Sequence, residues 1–295
     1  MQATSLTAES PAIQRLWAYL LERFPPVAYT LLVVLFYGSA MLVASALQGA
    51  EAKWAWQPPI VILLVFFHLR VFDEHKDAEE DMEAHPERIL SRGIVDLLFL
   101  RKAALIAILL QAGLSASLGG HAFAWWAACF GFSVLMFVEF GVGEWLRKHM
   151  MVYAISHNPI TPLLALFAWA STGLAYPDHF SWYLASTAAG ALGFEIGRKI
   201  RLPQEEQEGV STYSKAIGRP AALAWLVGST VLCMAFAVPI IDQLQNRELV
   251  AYGLLLPAAA LVLSIAIRPV QAKYVELSAT LMLLVSFVAF GVVAW

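Results

Sequence analysis

The sequence predicts an all-α membrane protein: a bundle of nine transmembrane helices with a cytoplasmic amino terminus and an outward carboxyl terminus. Three observations predict it. Of the 295 residues, 60% are apolar and only 14% are charged, whereas a soluble domain carries about a quarter of its residues as charges. The apolar residues gather into nine long runs free of Asp, Glu, Lys, Arg and His. Finally, 17 of the 19 Lys and Arg fall on one side of the bundle that those runs imply. Such scarce charge excludes a disordered chain and a basic nucleic-acid-binding protein, so no nucleic-acid partner is expected.

The elements follow in chain order. Residues 1–27 read as a cytoplasmic segment. Its first 23 residues lack a basic region leading directly into an apolar one, so they do not look like a secretory signal. Ser10 and Pro11 instead resemble a helix cap and a first-turn proline. Ile13, Leu16, Trp17, Leu20, Leu21 and Phe24 then recur at helical spacing. That pattern predicts an amphipathic helix on the membrane surface that orients the first span.

Residues 28–295 read as the bundle. The nine runs are Phe24–Ala50, Trp54–Phe67, Ala103–Gly120, Ala122–Val138, Asn158–Pro177, Phe180–Phe194, Pro220–Ile241, Leu249–Ile267 and Leu277–Trp295. Spans of about 20 apolar residues cross a bilayer. None of the runs has the polar face that an outer helix of a soluble protein needs. With the amino terminus inside, the cytoplasmic side receives Arg15 and Arg23, and Arg70, Lys76, Arg88, Arg92, Arg101 and Lys102. It also receives Arg147, Lys148, Arg198, Lys199, Arg201, Lys215, Arg219, Arg268 and Lys273, leaving only Lys53 and Arg247 outside. Basic residues stay on the cytoplasmic side during insertion, so the chain is expected to be a multi-pass protein of the cytoplasmic membrane. Cys129 and Cys233 lie within apolar runs and read as packing residues.

Two cytoplasmic loops stand out. Arg70–Val95 holds eight of the 22 acids between Asp73 and Glu87, and Phe194–Arg219 is both basic and acidic. If the second span continues as a helix, Asp73, Asp77 and Asp81 share one face, with Glu74 close by. Stacked carboxylates repel, and a divalent cation relieves the repulsion. Mg²⁺ is typically held by one or two carboxylates together with water and phosphate oxygens. Asp73, Glu74, Asp77 and Asp81 are therefore candidate metal ligands, and Asp77 and Asp81 the candidate catalytic pair.

At Asp73–Val95 the residues resemble the first aspartate-rich motif of the UbiA superfamily of intramembrane prenyltransferases. The family carries N-D-x-x-D-x-x-x-D followed by P-x-R-P-L-x-x-G. Here Asp73 stands for its Asn and Glu74 for its first Asp, while Asp77 and Asp81 match the remaining acids. The stretch His85–Gly93 matches the trailing segment, with Ile89 in place of the second proline. In the second loop, Gly209–Gly218 resembles the family's glycine-containing ending. The D-x-x-x-D before it is altered: Glu206 stands on its second acid, Leu202 on its first, and Arg198, Lys199 and Arg201 are basic.

The resemblance implies a nine-helix bundle that binds an isoprenyl diphosphate through Mg²⁺ and transfers the prenyl group to an acceptor that the sequence does not name. Glu206 joins the implied metal ligands. Arg88, Arg198, Lys199 and Arg201 become candidate phosphate contacts, since guanidinium and ammonium groups take over where a metal-binding acid is lost. Glu139 and Glu195, carboxylates near the cytoplasmic ends of their helices, are candidate substrate contacts. Three alternatives stand beside this reading. An isoprenoid-binding protein without turnover fits the altered second motif. A cation transporter fits the acidic face, although the acids lie at one face and not at mid-membrane. A CDP-alcohol phosphotransferase would need D-G and A-R elements that are absent.

Overall fold

A computed structural model of the chain describes residues 6–244 and 247–295, apart from the side chains of residues 79–81. Its helices are α1 Ala12–Arg23, α2 Pro26–Leu47, α3 Gln57–Lys76, α4 Ala78–Ala84, α5 Leu97–Ser117, α6 Gly120–Phe137 and α7 Gly143–Lys148. They continue as α8 Met150–His157, α9 Ile160–Ala170, α10 Phe180–Gly197, α11 Tyr213–Ile217, α12 Arg219–Leu244, α13 Glu248–Ala266 and α14 Ala272–Ala294. No strand occurs among the described residues. Lipid offers the backbone no hydrogen-bond partner, and helices satisfy their own.

Each of the nine apolar runs falls on a helix, with α8 and α9 together serving the fifth. Seven of these helical segments are long and apolar enough to cross a membrane. The other two, α3 and α10, fall short for different reasons. α3 is 20 residues long but ends in the charged stretch Arg70–Lys76. α10 is 18 residues long and rich in Ala, Gly, Ser and Thr, because it is the central helix and packs against α9, α12 and α14. A Cβ on Gly197 would lie 2.5 Å from the Cβ of Ala279 in α14, and one on Gly193 would lie 3.3 Å from the Cβ of Ser229 in α12. Small residues at such crossings let helix backbones approach closely in a membrane.

The sequence places α1 on the membrane surface, and the structure adds a second contact. Tyr19 is fully buried against the charged loop that follows α3, in a cluster with Phe24, Phe67, Val71, Ile89, Leu90 and Leu100. Arg15 lies over the Phe99 ring at 4.6 Å, and a Glu22 carboxylate oxygen accepts the Ile89 N–H at 2.9 Å. Ile13, Trp17 and Leu21, at i, i+4 and i+8, form the exposed stripe. The helix therefore has two apolar faces, one against the loop and one turned outward.

One local expectation is corrected. α3 does not continue to residue 81. The dihedrals of Asp77 (φ −101°, ψ 10°) leave the helical well, and α4 begins as a separate helix at Ala78. Asp73, Asp77 and Asp81 therefore do not line one continuous helix face. A break in the middle of a carboxylate run limits the stacking of like charges that a straight helix would impose.

Between α3, α5 and α6 runs a buried polar chain that the sequence did not single out. Trp126 Nε1 donates to Gln111 Oε1 at 3.2 Å, and Gln111 Nε2 lies 3.1 Å from His68 Nδ1. His68 Nε2 lies 3.0 Å from Ser133 Oγ, which donates to the Phe130 carbonyl at 2.7 Å. Because the Ser133 proton is committed, His68 donates from Nε2 and accepts at Nδ1. That tautomer satisfies every group in the chain, and the three helices are joined without a charge.

Candidate functional site

The site forms where α3 and α10 end on the same side of the bundle, beside α8 and α11. From α3 comes Lys76, whose Nζ lies 3.0 Å from Asp73 Oδ1 and donates to the Tyr153 hydroxyl of α8 at 3.1 Å. The Tyr153 ring stacks on His157 with centroids 4.0 Å apart. From the end of α10 come Glu195, Arg198 and Lys199. Arg198 Nε lies 2.5 Å from Glu195 Oε2, and Lys199 Nζ lies 3.2 Å from Glu195 Oε1.

Tyr213 of α11 is fully buried and points its hydroxyl at Glu195 Oε1, 3.5 Å away. Burial and the Glu195 charge push its phenol well above the ordinary value, so it stays a neutral donor. Its backbone N–H donates to the Lys199 carbonyl at 3.1 Å, which fastens α11 to the end of α10. α8 packs against both α10 and α11, so Tyr153 carries the Lys76–Asp73 pair of α3 toward Glu195, Arg198 and Lys199 of α10. Chemically, three cations held in position by two carboxylates and two phenols can take up an anion.

The other sequence-predicted residues divide. Glu74 is buried at 2% exposure, and its Oε1 accepts from Arg23 Nε at 2.7 Å and from Arg70 Nη2 at 2.7 Å. Tyr19 points at the same oxygen from 3.5 Å. Glu139 is buried beside Arg147, whose Nη1 lies 2.7 Å from its Oε2. It begins three consecutive left-handed residues, Glu139, Phe140 and Gly141, with φ of 49°, 54° and 73°. For non-glycine residues such conformations cost on the order of 1–3 kcal/mol each. The turn also depends on Gly143, where a Cβ would lie 1.9 Å from the Glu139 carboxylate.

Arg201 turns its guanidinium back onto the carbonyls of Arg198 and Ile200, at 2.9 and 3.1 Å. Glu206 accepts the Thr212 hydroxyl at 2.8 Å. Arg88 is half-buried on the turn after α4, with its N–H on the His85 carbonyl. The side chain of Asp81 lies outside the described residues. Glu205 accepts the N–H groups of Leu202 and Ala272, both at 3.0 Å, and so ties the second loop to the start of α14.

Among the described residues, no three His, Cys, Asp or Glu side chains gather as a ready metal centre. The donor chemistry suits Mg²⁺ at Asp73 and Asp77, one turn apart at the helix break, because Mg²⁺ needs only one or two carboxylates when phosphate completes its shell. Glu74 does not suit it, being committed to two arginines, and neither does Glu206, which lies in the second loop on Thr212. The pairing of Lys76 with Tyr153 escaped the sequence because the two are 77 residues apart. Lys76, three residues after Asp73 within the acidic run, was the available signal.

No family model and no curated protein matches the chain. Its backbone does match a solved structure from work on digeranylgeranylglyceryl phosphate synthase in membranes, with a TM-score of 0.60 over 95% of this chain and 99% of that one. At 17% identity the likeness shows the fold alone, an all-helical membrane bundle consistent with the one that the sequence resemblance implied.

Proposed function

We propose that this chain is a prenyltransferase of the cytoplasmic membrane that binds an isoprenyl diphosphate among α3, α8, α10 and α11. The observation that carries the reading is the meeting of Lys76, Arg198 and Lys199 with Asp73 at one end of a prenyltransferase-like bundle. In this reading α3 and α10 cross the membrane with the other seven spans. The 17 basic residues on one side support an inward amino terminus and an outward carboxyl terminus.

The diphosphate bears on Lys76, Arg198 and Lys199, with the Tyr153 hydroxyl beside them. Asp73, Asp77 and Asp81 would hold Mg²⁺, which would add positive charge beside the leaving group. As the allylic C–O bond breaks, its electron pair leaves with the diphosphate, and the fixed cations stabilise the charge that develops there. An acceptor nucleophile donates an electron pair to the same carbon and releases a proton. Apolar helices around the prenyl chain exclude water from the competing hydrolysis. Glu195 and Tyr213 position Arg198 and Lys199. Arg88 and Arg201 border the site as phosphate contacts, and Glu139 borders it from the α6–α7 turn.

Binding of a labelled isoprenyl diphosphate to the purified protein in detergent tests this, with Mg²⁺, with EDTA, and in Asp77→Ala and Arg198→Ala variants. Binding should need Mg²⁺ and Asp77. Loss of Arg198 should weaken it about tenfold or more, the usual cost of a hydrogen bond to a charged group. Absence of binding under every condition would overturn the proposal and bring the cation-transporter reading forward. Product analysis with candidate acceptors separates turnover from binding alone.

A further inference from the structure

On the same side of the bundle as the charged loops, where the second of them ends in Arg219, an open cavity of about 450 Å³ lies between the start of α12 and the end of α13. Its walls are apolar: Leu223, Val227 and Ile267 among them. Its mouth is cationic, carrying Arg219 and Arg268. Neither arginine has an ion-pair partner among the described residues. Arg219 Nη2 reaches only the carbonyls of Arg268 and Val270, both at 3.4 Å, and its Nε is buried with no hydrogen-bond partner. Glu205 of the second loop also acts on Arg219, but its oxygens are already on the backbone of Leu202 and Ala272. The mouth also lies at the amino end of α12, the positive end of a 26-residue helix.

A buried guanidinium nitrogen without a partner is costly, and a phosphate oxygen would satisfy it. The apolar walls begin where the charges end, which is the arrangement of an acyl chain below a headgroup at the membrane interface. We infer that the α12–α13 cavity binds an anionic phospholipid, with its phosphate on Arg219 and Arg268 and an acyl chain along Leu223, Val227 and Ile267. Basic pockets between transmembrane helices take lipid headgroups by this chemistry. Guanidinium suits it because its fixed fork of donors matches phosphate oxygens. The bound lipid is a fixed component of the bundle and is distinct from the proposed diphosphate site.

Native mass spectrometry of the purified protein in detergent, with equimolar phosphatidylglycerol and phosphatidylcholine, tests the inference. Phosphatidylglycerol should be retained on the order of tenfold over phosphatidylcholine, since each basic residue near the headgroup adds to the preference. Arg268→Gln, an exposed position that leaves the fold intact, should reduce the ratio several-fold. Ala224→Trp, which fills the cavity, should abolish retention of the preferred lipid. Isoprenyl diphosphate binding should be unchanged in Arg268→Gln, so failure here is distinguishable from failure of the proposed function. Equal retention of the two lipids would overturn the inference, as would a preference that survives both variants. Displacement of the bound lipid by millimolar inorganic phosphate alone would overturn it too, reducing the site to a phosphate contact.

Discussion

The two charged loop ends contain the same chemistry in opposite states of burial. At the end of α3, Glu74 is 2% exposed and is shared by Arg23 and Arg70, one from α1 and one from its own helix. At the end of α10, Glu195 is 30% exposed and is shared by Arg198 and Lys199, both from its own chain segment. The first arrangement locks α1 to the bundle, and the second leaves two cations partly exposed. Burial makes the difference. A dry ion pair cannot exchange partners cheaply, while a wet one can release its cations to an incoming anion. The mechanical supports differ as well. The α3 end is held by charge and breaks at Asp77, whereas the α10 end is seated where Gly197 lets the Ala279 methyl approach closely.

The largest effect should come from Glu74→Ala, which leaves two arginines without their carboxylate. Removing one partner of a buried pair costs about 3–5 kcal/mol, measurable as a lowered thermal midpoint in detergent. Glu195→Ala should cost about 1 kcal/mol or less in stability, yet weaken diphosphate binding by loosening Arg198 and Lys199. Equal stability losses in the two variants would erase the distinction drawn from burial.

Next in size is Gly197→Leu. A side chain driven against the Ala279 Cβ should cost roughly 1–3 kcal/mol by overpacking. It should also lower diphosphate binding, because Arg198 and Lys199 follow directly. An unchanged midpoint would show that α10 and α14 can separate freely.

A third, smaller contrast lies in pH. Burial, and then the Glu74 charge, push the Tyr19 phenol far above its ordinary value of 10.0. A raised value favours the protonated form in the folded state. Stability from this contact is therefore complete below pH 10 and falls as pH rises beyond it. For Glu205 the backbone N–H of Leu202, and with it that of Ala272, hold the carboxyl below its ordinary 4.5. Its contribution is complete above that value and falls as pH drops through and below it. Tyr19→Phe should flatten the alkaline loss of the thermal midpoint, and Glu205→Gln the acid loss. A swap of these two signatures would contradict both assignments.

Much of the fold was legible because its cause is local. Nine runs without charge fall on helices one by one, and the exposed stripe Ile13, Trp17 and Leu21 follows the periodicity of α1. The ingredients of the proposed site were legible: Asp73, Asp77, Glu195, Arg198 and Lys199 all lie at the two loop ends. Its partition was not. Arg23 and Glu74 are 51 residues apart, and nothing in the spacing of the acids marks Glu74 as different from Asp73. His68 and Gln111 sit in or beside apolar runs and reveal their role only when α3, α5 and α6 come together.

Composition and the order of residues alone determined that this chain is a helical membrane bundle. A bilayer core leaves backbone groups no partner outside the helix, and sidedness follows from the count of Lys and Arg in each loop. Which carboxylate is buried and which is open to an anion was decided by the tertiary structure. The energy of a charge depends on who its neighbours are and how much water remains beside it. Both are set by helix crossings such as Gly197 on Ala279, and by the docking of α1 on a loop far along the chain.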